Sequence, residues 1–240
     1  MRRSMRFAAF VLACAIAFPA AAETVQGSAQ VGTRTIALPP GTWTRSVELL
    51  QPRGFELGGA PSNAMNISAA FLRVSSGRVT GVAFVYMSRE PSVDFRGFAS
   101  LRNCSRNDFF FIAARANYPH DQDCVLLAHV VPVMPSDANT FTAQMLTAAR
   151  RAGRVSPTYL GVATRRSDQL HYLQVEYWLA PEAFGFRSSS TTWANSPWHV
   201  SNLDGPRRAF MERMKAWAEQ AQEQTRRSFR NQPVTPLPEP

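Results

Sequence analysis

The stretch from Cys104 to Cys124, CSRNDFFFIAARANYPHDQDC, constrains this chain more than any other, because it joins two cysteines to the densest apolar material and leads directly into VLLAHVVPV. The third cysteine, Cys14, falls in a leader expected to be removed. Two thiols left in an oxidising compartment pair, and closing a loop of about twenty residues stabilises a fold by about 3 kcal/mol, mostly through the unfolded state. The bond needs Cα atoms within about 7 Å. Two geometries are open. A hairpin turning near residue 114 sets the cysteines opposite one another. A turn at the more turn-like Asn117-Tyr118-Pro119-His120 leaves them out of register, and one flank must fold back.

The leader fixes the expected compartment. Arg2, Arg3 and Arg6 precede an apolar run over residues 7–18, and Pro19 leads into Ala20-Ala21-Ala22. This is the charged, apolar, small-residue order of a secretory signal, cut after Ala22. Val11-Leu12-Ala13-Cys14 loosely resembles a lipoprotein cleavage box, but Leu12 fits it poorly and apolar residues continue past the cysteine. Neither this run nor the apolar stretch at 124–134, which contains His129 and Pro132, reaches the ~20 residues that span a bilayer. The expectation is a periplasmic or secreted protein with no transmembrane span.

With three of the 26 basic residues in the leader, residues 23–240 carry 23 basic side chains against 17 acidic, a mild +6. Lys215 is the only lysine, and the arginines are spread along the chain, so a nucleic-acid partner is not expected. The length suits one globular domain over 23–230. Four prolines in 233–240 predict that 231–240 is an extended, disordered tail.

Hydrophobic periodicity predicts hairpins interrupted by two helices. Residues 23–32 are polar and glycine-containing and read as a loose leader. Two strands, 33–38 and 43–50, flank a turn at Pro39-Pro40-Gly41-Thr42, with Trp43, Val47 and Leu49 on one side of the second. Residues 51–65 read as a loop. Strands at 66–74 and 79–88 form a hairpin around Ser75-Ser76-Gly77-Arg78, and apolar residues on both sides of the second mark it as central in its sheet. Residues 92–101 have the spacing of a short helix. A helix is predicted over 136–152, capped by Ser136 or Asp137 and stopped by Gly153. Strands at 158–164 and 170–179 follow, the latter with Leu173, Val175, Tyr177 and Leu179 on a buried side and a mixed side opposite. The longest helix runs from Pro206 to about Arg230, with Phe210, Met214, Trp217 and Ala221 as its apolar stripe. The order predicts an α+β fold with a mostly antiparallel sheet. A β-sandwich with a terminal helix is the alternative.

Catalytic signatures are missing: there is no G-x-S-x-G, H-E-x-x-H, S-x-x-K, phosphate-cradling glycine loop or C-x-x-C. No cofactor or metal is implied, and oligomeric state is not encoded in any motif. Three clusters carry polar chemistry. His120-Asp121-Gln122-Asp123 offers one nitrogen and two carboxylates, yet adjacent residues alone do not wrap a metal, and a polar turn explains the same letters. His129 lies in an apolar strand, where a lone histidine is more often structural. The loop before the last helix holds Phe184, Phe186, Arg187, Trp193, Trp198 and His199, bordered by Trp178 and Glu182. Rings beside hydroxyls and arginine suit a ligand platform. The expected function is a non-catalytic binding or envelope-accessory module with an envelope protein or small ligand as partner. The alternatives are an enzyme with a dispersed His/carboxylate site and a peripheral membrane protein using the terminal helix.

Overall fold

The computed structural model describes residues 23–52, 65–91, 102–118, 120–189 and 191–240. Among these residues, nine strands form one sheet in the order β1-β2-β3-β4-β9-β8-β6-β5, with β7 pairing the start of β4. The strands are β1 (Thr24–Val31), β2 (Arg34–Pro52), β3 (Met65–Ser75), β4 (Arg78–Ser88), β5 (Phe111–Tyr118), β6 (Asp121–Val130), β7 (Arg154–Val155), β8 (Tyr159–Ser167) and β9 (Tyr172–Leu179). Two helices, α1 (Phe141–Ala152) and α2 (Gly205–Phe229), lie on opposite faces. The fold is α+β, and the pairings are antiparallel except β4 with β7. A single continuous sheet replaces the two layers of a sandwich.

The hairpin β3–β4 turns on Ser76 and Gly77, both with positive φ (49° and 70°), the pairing that matches the twist of the strands it joins. β4 is central, between β3 and β9. Its Ala83, Val85 and Met87 face α2, while Val82, Phe84 and Tyr86 face α1.

The beginning of the chain departs from expectation. Residues 24–31 are an edge strand, and 34–52 are one long strand with no turn at Pro39-Pro40-Gly41. The register jumps from Gln26↔Thr42 to Ser28↔Ala37, so residues 38–41 bulge out opposite Gly27. Prolines have no N–H to give a ladder and are tolerated at such a bulge. A second irregularity between Arg45 and Val47 leaves Ser46 outside the ladder with β3. A one-residue slip reverses the side-chain alternation. Trp43 is therefore buried toward α2, whereas Val47 and Leu49 pack toward α1 rather than sharing its side. Of the predicted 51–65 loop, Gln51, Pro52 and Met65 belong to strands and the rest lies outside the described residues, as does the helix expected over 92–101.

The β5–β6 hairpin closes between Tyr118 and Asp121, so Cys124 faces Ala114. Cys104 sits in a one-turn 3₁₀ helix (Arg102–Ser105) that folds back to reach Cys124, with Cα atoms 6.2 Å apart. Of the two geometries open from sequence, the structure takes the second.

α1 starts at Phe141 instead of Ser136. Asp137 holds a turn by accepting from Asn139 N at 2.8 Å, and Thr140 Oγ1 is the cap that accepts from Ala143 N. Asp and Asn compete in this way with helix formation. α2 is capped by Asp204, and its Phe210, Met214, Trp217 and Ala221 are buried on the sheet. Residues 233–240 run extended, but they are held: Leu237 is buried and its N–H donates to Leu38 O at 3.2 Å. Trp217 Nε1 donates to Pro238 O at 2.8 Å, and Thr235 N to Gln224 Oε1 at 2.8 Å. The disorder expected from proline content is overridden because α2 and the bulge of β2 supply partners.

Candidate functional site

α1 rests on β2, β3, β4 and β7, whereas α2 crosses β2, β6, β8 and β9 on the other face. Among the described residues, no helix is packed over β6, β8 and β9 on the α1 face. A cleft of about 260 Å³ opens there. Its floor comes from Leu126 and Ala128 of β6, Gly161 and Ala163 of β8, and Glu176 and Trp178 of β9. The depth is a consequence of alternation: β8 sends Leu160 and Val162 into the α2 core and its smallest residues to this side. A Cβ on Gly161 would come within 2.6 Å of Val130 Cγ2. Glycine is what lets β6 and β8 carry Val130 and a cleft together.

The wall is set by where β5 begins. Phe111 pairs with Leu127, so among the described residues Ala128, His129 and Val130 have β8 on one side and no strand on the other. The loop before α2 fills the gap. Asn202 Nδ2 donates to Ala194 O and Ser196 O, 2.9 Å each, shaping the loop that presents Trp193. Trp193 stacks on the His129 ring with centroids 4.9 Å apart, and its carbonyl accepts from His129 Nε2 at 2.8 Å. A carbonyl cannot donate, so this contact fixes the proton on Nε2. Phe109 approaches Trp193 to 6.4 Å, and the Arg106 guanidinium lies 4.5 Å over Phe109 and 5.3 Å over Trp193. Arg106 is balanced by Asp108, with Nε to Oδ1 at 2.7 Å. Cys124 shares its strand side with Leu126 and Ala128, so the disulfide fastens the Arg106–Phe109 wall to the cleft floor.

Glu176 is the carboxylate of the cleft. Part of the residue reaches solvent, yet the atoms around it desolvate the carboxyl enough to push its pKa up; hydrogen bonds from Gln174 Nε2, at 2.6 Å, and from Trp178 oppose this. His129 is pushed the other way. Burial lowers its pKa and nearby His199 adds to that, against the bond to Trp193 O, so the ring is neutral at neutral pH.

The residues singled out from sequence separate into three places. Trp178 and Trp193 line the cleft. His199 stands edge-on to Trp193 at 4.5 Å. Phe184, Phe186 and Trp198 pack with Phe210 at the start of α2, Phe184 at 4.9 Å and Phe186 at 5.3 Å, with Trp198 fully buried beside them. They pin the loop. Arg187 and Glu182 belong to a separate groove at the β4–β7 end of the sheet. Arg106, Phe109, Gln174 and Glu176 were not singled out. A carboxylate between Gln174 and Trp178 on the mixed side of a central strand is the signal that points to Glu176.

The acidic run at 121–123 is spent structurally. Asp121 pairs with Arg166, and Asp123 accepts from Gln222 and from Arg226, 2.9 Å away. Burial would raise the Asp123 pKa, but the bonds from Arg226 and Gln222 outweigh it and hold it low. Among the described residues no three His, Cys, Asp or Glu side chains converge as a metal site. Compared with known proteins, the chain matches no family model, no curated protein and no solved structure.

Proposed function

We propose that this chain is an exported, non-catalytic binding protein whose site is the cleft over β6, β8 and β9, and whose ligand is small, planar and apolar with a hydrogen-bond donor at one end. The observation that carries this reading is Glu176, an acceptor with a raised pKa set among aromatic walls and a small-residue floor. An apolar concavity with few convergent polar groups is the general form of a small-ligand site. Trp193 and Phe109 supply faces for a ring, and a donor on the ligand satisfies the desolvated carboxylate. The leader and the disulfide both support export.

The enzyme reading has less support, because among the described residues none of His120, His129 and His199 is hydrogen-bonded to a carboxylate. The membrane reading has less still, since the apolar stripe of α2 is buried on the sheet.

Calorimetric titration with tryptamine, indole and indole-3-acetate tests the reading by grading charge at constant ring shape. Once pH is high enough to ionise Glu176, tryptamine should bind tightest and the anion weakest. Trp193→Ala should weaken all three by about tenfold, and Glu176→Gln should remove only the preference for tryptamine. The pH dependence has a fixed sign. A carboxyl with a raised pKa ionises only as pH climbs above the ordinary range, so tryptamine affinity should rise through that window while indole affinity stays level. Equal affinity for the three probes, or full binding by Trp193→Ala, would sink the proposal.

A further inference from the structure

A second concavity, independent of the cleft, lies where β7 joins β4. The two strands are parallel, and their register sets Arg78 directly beside Arg154. Neighbouring residues across a strand pair project on the same side, where like charges oppose one another. The loop after the 3₁₀ turn Pro181–Phe184 brings a third guanidinium, Arg187, to the same groove, which encloses about 730 Å³ and is open to solvent. All three arginines are exposed, and among the described residues none of them pairs with a carboxylate. The one acid on the groove, Glu182, already has Ser156 Oγ 3.0 Å from its Oε2. Ser188 Oγ, on the same wall, is enclosed and without a hydrogen-bond partner among the described residues. Three positive side chains from three separate elements thus face one space that holds a single negative one. Packing does not require this arrangement, and a bound anion would relieve it.

We infer that this groove binds a phosphoryl group, with Arg78 and Arg154 forming adjacent forks, Arg187 closing from the loop and Ser188 Oγ adding a neutral hydrogen bond. Guanidinium forks match the oxygen spacing of phosphate, and a dianion suits a pair of arginines better than a carboxylate does. Phe186 on the wall gives the organic part of the ligand an apolar surface. The phosphoryl group belongs either to a soluble organic phosphate or to a lipid headgroup.

The test is titration of the full chain in phosphate-free buffer at fixed ionic strength, using glycerol 3-phosphate, with chloride as the control. Its second arm is co-sedimentation with vesicles of phosphatidylcholine, alone or with phosphatidic acid. Wild type should bind glycerol 3-phosphate or the phosphatidic acid vesicles, and Arg154→Gln should weaken that binding about tenfold. In the phosphate-free buffer, Arg154→Gln should melt at or above the wild-type temperature, because the substitution removes a repulsion. Binding of the soluble phosphate without the vesicles assigns a soluble ligand; binding of the vesicles alone assigns a headgroup; binding of both leaves the phosphoryl group as the recognised element. The inference is overturned if neither binds beyond the chloride control, if Arg154→Gln binds as wild type does, or if that variant melts well below wild type, which would make the arginines structural.

Discussion

The two faces of the sheet are built from the same strands and finished differently. β8 and β9 send Leu160, Val162, Leu173 and Val175 to one side, where a 25-residue helix crosses them and the segment to Leu237 closes the margin. To the other side they send Gly161, Ala163, Gln174 and Glu176, and the 12-residue α1 stops short of them. Where each helix lies decides which strands it covers. On the short-helix side the cover comes instead from a disulfide-tied segment and a loop tryptophan, leaving room for a ligand. One alternating pattern encodes a packed face and an open one.

That contrast can be broken most severely on the sealed side. Trp217 is buried, meets Tyr177 edge-on at 5.3 Å and donates to Pro238 O. Trp217→Ala should cost about 3–5 kcal/mol in denaturant unfolding, and a loss under about 1 kcal/mol would show that α2 does not seal the sheet. Replacing Cys104 and Cys124 together by serine should cost about 3 kcal/mol. Its second signature is local: amide exchange should rise around Phe109 and Leu126, and probe binding should fall, while protection in α2 persists. Unchanged probe binding would mean that the disulfide does not hold the cleft wall. The smallest effect belongs to Trp193→Ala, which should change stability by less than about 1 kcal/mol while removing the stacking surface. A large destabilisation there would place Trp193 in the core and collapse the distinction between the two sides.

Much of this contrast was legible wherever apolar alternation was strong. The β3–β4 hairpin follows from its two-sided pattern and Ser76-Gly77 turn, and α2 from the stripe Phe210, Met214, Trp217, Ala221. β1 was hidden because an edge strand needs few apolar residues, and Thr24–Val31 carries mostly polar ones. The Pro39-Pro40-Gly41 bulge looks like a turn because turns and bulges select the same residues for the same missing N–H and unusual φ. In the site, Trp178 and Trp193 stood out as large rings. Trp198 and Phe184 stood out equally, although they pack on Phe210, because composition does not distinguish a ring that lines a space from one that fills it. Arg106 and Phe109 depend on the fold-back at Cys104, a long-range event with no local trace.

The bond from Arg34 Nη1 to Phe229 O, 2.6 Å long, joins residues 195 positions apart, and Leu237 reaches Leu38 across a similar span. Strands β1 and β2 thus receive their cover from a helix and an extended segment far along the chain. Until these dock, Trp43, Phe71 and Val85 present one side of a bare sheet, the kind of surface on which partly folded chains associate. Folding that waits on such distant contacts is slow. A chain built this way gains little from partial folding, because β2 stays uncovered on that side until the distant α2 docks.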